Sequence, residues 1–142
     1  MRFMGLDLGS KTVGVAVSDP LCLFAQPLET IFREKENKLR KTLARIEELV
    51  QEFSVDTIIL GLPLNMDDSV GERAKRSMEF KEMLERRLNI PVILQDERLS
   101  TFEADNILDE MNVRPDERKQ YIDKIAASFI LEDFMKQQVS GN

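Results

Sequence analysis

From Phe3 the chain runs apolar to Leu6 and takes a carboxylate at Asp7. It then turns through Gly9-Ser10-Lys11-Thr12, and apolar positions alternate with small ones from Val13 to Val17. Two short strands, Phe3–Leu8 and Val13–Ser18, joined by a tight turn account for this pattern. A third strand is predicted over Glu29–Phe32, beyond a loop holding Pro20 and Pro27. Leu39, Leu43, Ile46, Val50 and Phe53 step by about 4, 3, 4 and 3, which predicts an amphipathic helix over Lys38–Phe53. Thr57–Leu60 is a β-branched run of buried-strand length, and Gly61, Pro63, Asn65 and Gly71 break the segment after it into a loop. A second helix is expected over Glu72–Leu88, with Phe80, Leu84 and Leu88 on one side, followed by a strand over "PVILQ". Ser100 and Glu103 have capping-box spacing for a helix reaching about Met111. "NVRPDERKQ" reads as a charged, mobile loop, and a last helix is predicted over Tyr121–Gln137.

The order β-β-β-α-β-α-β-α-α predicts an α/β protein. A three-stranded meander would be extended by parallel strands through right-handed crossovers, giving a mixed sheet with helices on both faces. One domain is expected over residues 1–138, with 139–142 as a fraying tail.

Composition narrows the chemistry. Among the 142 residues there is no histidine and a single cysteine, Cys22. Ser-His-Asp and Cys-His nucleophiles, HExxH sites and zinc fingers are thereby excluded. Acids, bases and ligands must come mainly from carboxylates, whose oxygens favour hard cations such as Mg2+ or Mn2+. The lone cysteine fits a reducing compartment. No apolar run approaches membrane-spanning length, and no secretion signal is visible, so a cytoplasmic protein without a membrane partner is expected. Net charge is −6, which argues weakly against nucleic-acid binding taken alone. Basic residues are nevertheless crowded between Arg33 and Arg45 and again between Arg73 and Arg87, as solvated helix faces or as phosphate contacts.

Asp7 is the anomaly, because an unpaired charge inside an apolar strand costs several kcal/mol. In open α/β sheets, ligands bind off the carboxyl ends of the parallel strands. Asp7 lies near the end of strand one, Asn65, Asp67 and Asp68 follow strand four, and Asp96-Glu97 follows strand five, all on one rim. Asp123 shares a helical face with Ala127 and Ile130, so it faces the sheet, and Ala126 and Ala127 allow close approach. Converging carboxylates repel unless a cation neutralises them. Two divalent ions could do this while activating a water for attack on a phosphodiester. Taken singly, each acid also has an ordinary reading. Asp7 could be a turn residue, Glu97 a partner of Arg98, and Asp123 an acid in the first helical turn.

The segments "GLDLGSKTVGVAVSD", "IILGLPLNMD", "DERLSTFEA" and "IDKIAASFIL" together resemble the YqgF/RuvX family of bacterial proteins, from Met1 to about Phe134. That family is described as Holliday junction resolvases and belongs to the ribonuclease H-like superfamily. The resemblance implies a five-stranded mixed sheet of three antiparallel strands then two parallel ones. It also implies a metal-binding triad of Asp7, Glu97 and Asp123 holding two Mg2+ or Mn2+ ions, with Asp7 bridging them. Nucleic acid is the implied partner, and RNA is preferred over DNA. The implied activity is maturation of the 5′ end of precursor 16S ribosomal RNA, with resolution of four-way DNA junctions as the alternative. A homodimer and a ribosome-assembly or recombination protein partner stay open.

In that fold strand five lies two steps from strand one, about 10 Å away. Either Glu97 reaches inward along the rim, or Asp96 or Asp67 shares its work. Gly9 and Gly14 are candidates for close approach to a phosphate. Lys11 could contact the phosphate backbone, Asn65 could orient the loop or substrate, and Arg98 and Thr101 could touch the scissile phosphate. "DLGSK" also resembles the first phosphate loop of actin-like ATPases and sugar kinases, so a nucleotide-binding or non-catalytic module is the rival reading.

Overall fold

The computed structural model describes residues 2–64, 67, 69–97 and 106–140. Three strands come first, β1 (Phe3–Leu8), β2 (Thr12–Ser18) and β3 (Ala25–Phe32). They are followed by α1 (Arg40–Glu52), β4 (Thr57–Leu62), α2 (Glu72–Leu88), β5 (Val92–Asp96) and the long α3 (Pro115–Ser140). The sheet has five strands in the order β3-β2-β1-β4-β5. β1–β2 and β2–β3 are antiparallel, while β1–β4 and β4–β5 are parallel. This is the mixed sheet expected from the sequence pattern.

Strand alternation divides the core in two. Met4, Leu6 and Leu8 of β1 join Val13, Val15 and Val17 of β2, and they pack with Ile46 and Leu49 of α1 and Phe80 and Leu84 of α2. On the opposite face Ala16 and Ile59 pack with Ala127, Ile130, Leu131 and Phe134 of α3. Gly5 and Asp7 fall on this second face by the period of two.

Small residues let α3 sit directly on the strands. A Cβ at Gly5 would lie 2.6 Å from the Ala127 carbonyl oxygen, and one at Gly14 would overlap the backbone carbonyl of Asp123. Ala126 and Ala127 are fully buried. The close approach expected from the two alanines is therefore matched by glycines on β1 and β2.

Three segments differ from the sequence expectation. Gly61 and Leu62, expected in the loop after Leu60, extend β4, because they pair with Gln95 and Asp96 of β5. β3 begins at Ala25 rather than Glu29 and carries Pro27 opposite Ala16, next to a register shift between Val15 and Ala16. β3 is an edge strand, where a proline's missing N–H faces no partner. The charged segment "NVRPDERKQ" is not a loop throughout, because α3 starts at Pro115. Proline is accommodated in a first helical turn, where its N–H would have no intrahelical acceptor. Residues 106–110 are helical and end at Asn112 in the left-handed region (φ 57°), with the Val113 N–H donating to the Leu108 carbonyl at 3.1 Å. The capping box at Ser100 and Glu103 lies outside the described residues.

Candidate active site

Asp7 is 6% exposed near the carboxyl end of β1 and sits opposite Gly14 in the β1–β2 ladder. The backbone of α3 at Asp123 crosses directly over Gly14. The negative charge of Asp123 therefore bears on Asp7.

Glu97, 8% exposed, follows β5 immediately, two strands away from Asp7. Its N–H donates to the Leu62 carbonyl at 3.4 Å, which holds the chain against β4. Its side chain then runs inward over Gly61 of β4, where an added Cβ would stand 2.6 Å from the Glu97 Cδ. The Glu97 carboxyl ends in a hydrogen bond with that of Asp7. Glu97 thus reaches β1 by crossing a strand that has no side chain at the crossing point. Asp96 is exposed, and its charge adds to the repulsion on Glu97. Asp67 is exposed and accepts bonds from the Ser69 N–H (3.0 Å) and Oγ (2.6 Å), an ordinary turn geometry.

A hydrogen bond between two carboxyls requires a proton on one of them. Burial, reinforced by the Asp7 charge, pushes Glu97 up to about 10. Burial also raises Asp7, with the Asp123 charge adding to it and the bond to Glu97 partly offsetting it. Without a cation, the site relieves its repulsion by keeping a proton. Among the described residues no group of three or more His, Cys, Asp or Glu side chains is arranged to hold a metal ion. The structure brings together Asp7 and Glu97, with Asp123 alongside.

Arg73 is the residue that the sequence pattern did not single out. It lies in the first turn of α2, and its charge lowers both Asp7 and Glu97. In the sequence it is one of several basic residues on an apparently solvated helix. The available signal was position, since α2 starts where the loop after β4 leaves the rim that carries Asp7.

Gly9 shapes the β1–β2 turn. Its N–H donates to the Thr12 carbonyl at 2.7 Å, and its carbonyl accepts from Arg33 Nη2 at 2.6 Å. Arg33 Nη1 also donates to the Thr12 carbonyl at 3.3 Å, so this guanidinium clamps the turn from the β3–α1 connection. Lys11 is exposed in the same turn. Gly14 does not serve close phosphate approach, because the α3 backbone occupies the space above it. Asn65, Arg98 and Thr101 lie outside the described residues. At the same carboxyl end of β1, but on the α1–α2 face of the sheet, is a cavity of about 490 Å3 bounded by the Leu8–Ser10 turn, the β3–α1 connection and α2.

The model of a family described as "RuvX: Holliday junction resolvase" matches residues 1–137. A protein of Lachnospira eligens named "Putative pre-16S rRNA nuclease" is 56% identical over 136 residues, covering 96% of this chain and 97% of its own. A Listeria monocytogenes protein of the same name is 48% identical over 135 residues, covering 95% and 97%. Among solved structures, Thermus thermophilus RuvC in complex with a Holliday junction substrate aligns with a TM-score of 0.61 at 14% identity, over 99% of this chain and 96% of that one. Uncomplexed RuvC of the same organism gives 0.58 at 13%, over 99% and 97%. At such identities the likeness concerns the fold, which is ribonuclease H-like. The family model and these close relatives span nearly the whole chain, and the chain belongs to the RuvX family.

Proposed function

We propose that this protein is a divalent-metal-dependent nuclease that matures the 5′ end of precursor 16S ribosomal RNA. The observation that carries the reading is the buried contact between Asp7 and Glu97. Two carboxyls brought together inside a fold across an intervening strand have no structural need that an amide or an apolar pair would not meet better. Their hard oxygen donors suit Mg2+ or Mn2+.

Asp7 and Glu97, with Asp123 adjoining, would hold the metal, and the sequence leaves room for two ions. Bound there, a divalent cation supplies a polarised phosphoryl oxygen and a water acidic enough to attack it. Asp7 and Glu97 give up the proton between them when the site is loaded, which makes loading dependent on pH. The positive charge of Arg73 lowers both carboxyls and would favour the additional negative charge that develops on the phosphate. The Gly9–Thr12 turn, clamped by Arg33, presents Lys11 toward the substrate backbone. Asn65, Arg98 and Thr101 would complete the grip on the scissile strand.

RNA is preferred over DNA because the relatives spanning almost the full chain are named for ribosomal RNA. Such work belongs in the cytoplasm and among ribosome-assembly proteins. The family's description as junction resolvases supports a second reading, cleavage of four-way DNA by the same site, for which a homodimer would supply two cuts. Wild-type and Asp7→Asn proteins, assayed with and without Mn2+ on a precursor-rRNA fragment and a four-way DNA junction, test the choice. Metal-dependent cutting of the RNA, lost in the variant, is expected. Cutting of the junction alone would transfer the site to recombination, and equal cutting by both proteins would remove Asp7 from the chemistry.

A further inference from the structure

A cavity of about 490 Å3 lies on the α1–α2 face at the Leu8–Ser10 turn that directly follows Asp7, and its volume falls within the size range of small-ligand pockets. Its walls are apolar, from Leu8, Leu39, Phe80 and Met83, and its charged lining includes Arg73 and Arg76. Leu8 and Phe80 are buried in the core, so this part of the wall is preformed rather than folded around a ligand. Arg76 pairs with Glu36, another lining residue, and both are substantially exposed. An exposed ion pair of this kind exchanges readily for contacts with a ligand. Glu36 and Glu79 offer acceptors, and Arg33, Arg76 and Asn37 offer donors, among the lining residues.

Arg73 ties this cavity to the reacting site, because it lines the cavity and its charge also reaches Asp7 and Glu97. The apolar faces and polar edge of an unpaired base match these walls. Its attached phosphate would meet Arg73 on the way to the carboxyls. We infer that this cavity is a nucleobase subsite, which receives one unstacked base of a single-stranded segment next to the scissile phosphate. Single-stranded nucleic acid is recognised in this way, by splaying bases into apolar or aromatic sites and reading their edges. The inference rests on the nuclease reading and adds a local requirement. The strand must be unpaired at that position, so a continuous duplex would be excluded from productive binding.

The test uses precursor-rRNA oligonucleotides spanning the processing point, each lacking one base, bound at equilibrium to wild-type, Met83→Trp and Ser10→Trp proteins. Met83 is 36% exposed and Ser10 is exposed, so indole can enter the cavity from either wall without opening the core. Thermal melting checks that both variants fold. For the wild type, one abasic position should weaken binding roughly tenfold. Both variants should bind intact RNA about tenfold more weakly and be indifferent to that position. Variants that keep the wild-type abasic profile, or a wild type sensitive to no single base, overturn the subsite. Wild-type cleavage measured in parallel separates the two levels. RNA that is cut without any abasic effect removes the subsite alone, whereas RNA neither bound nor cut removes the nuclease reading together with it.

Discussion

The carboxyl of Glu97 lies over Gly61, on the strand that separates β5 from the strand of Asp7. A side chain at position 61 would occupy the route by which Glu97 reaches its partner. Gly61 is therefore part of the site's construction, although it carries no reactive group.

Gly61→Ala should uncouple the two carboxyls. The new Cβ would stand 2.6 Å from Glu97 Cδ and 2.7 Å from Ile130 Cδ1, both ends of movable side chains. The fold should survive with a loss of about 1–3 kcal/mol, the usual cost of modest overpacking. Cleavage should fall by up to roughly 100-fold, because small displacements of a reacting group are costly. Gly14→Ala is the contrasting case, since its Cβ meets the α3 backbone, which cannot swing aside. It should destabilise more than Gly61→Ala in urea unfolding. Wild-type turnover in Gly61→Ala would show that Glu97 does not act from this position.

Most of the sheet was readable in the sequence, because its evidence is local. Alternation placed β1 and β2, and the four-three steps of Leu39 to Phe53 placed α1 within two residues of its ends. The site was readable only in part. Asp7 stood out as a charge in an apolar run, and the face shared by Asp123, Ala127 and Ile130 put that acid toward the sheet. The inward reach of Glu97 was undecidable from spacing alone. It depends on Gly61 being beneath it, a tertiary relation between two residues that the sequence treats as a turn former and a strand-end acid. Arg73 was hidden for a similar reason, since only the crossing of α2 over the rim distinguishes it from its basic neighbours. Pro115 misled because proline breaks a helix interior but suits a helix start.

The carboxyl pair should make the metal-free protein lose stability as pH rises. Glu97 has an ordinary value of 4.5 and is held up to about 10 in the fold. Between those values the folded chain keeps a proton that the unfolded chain has released, so stability is full below the lower value and declines toward the upper. Asp7 is raised too and acts in the same direction. Asp19 and Asp67, both lowered by hydrogen bonds, act oppositely, and their contribution is lost as pH falls below the ordinary 3.8. Melting in EDTA should therefore be highest in mildly acidic buffer. Glu97→Gln should melt above the wild type at about pH 8 and show a flatter alkaline limb. A wild-type melting temperature that climbs from about pH 5 to 8 would contradict the buried, protonated pair.

Arg73 should set where the site becomes loadable. Its charge lowers both Asp7 and Glu97, so Arg73→Ala should raise both and demand a higher pH before the shared proton leaves. The acid limb of the cleavage profile should shift toward alkaline pH, with at least about tenfold less activity at neutral pH. Arg73→Lys keeps the charge and should restore much of the limb's position even if turnover stays low. A uniform loss across the profile in Arg73→Ala would assign the residue to substrate contact alone.

Divalent metal should raise the melting temperature, and Asp7 should be required for the effect. A cation that binds the folded site but not the unfolded chain stabilises in proportion to the logarithm of its concentration over its dissociation constant. Because a cation held by Asp7 and Glu97 would displace the proton between them, the shift should be larger at about pH 8 than at about pH 6. Asp7→Asn removes a proposed ligand and also a buried carboxyl. In EDTA it should melt at or above the wild-type temperature, and it should lose the response to Mn2+. These opposite signs separate a metal site from a merely structural aspartate, whose loss would lower melting with or without metal. A wild-type curve unmoved by Mg2+ or Mn2+ up to about 10 mM, a concentration at which even weak sites fill, would dismantle the cation site. The Asp7–Glu97 contact would then be a protonated structural bond, and any cleavage would have to be assigned to other residues.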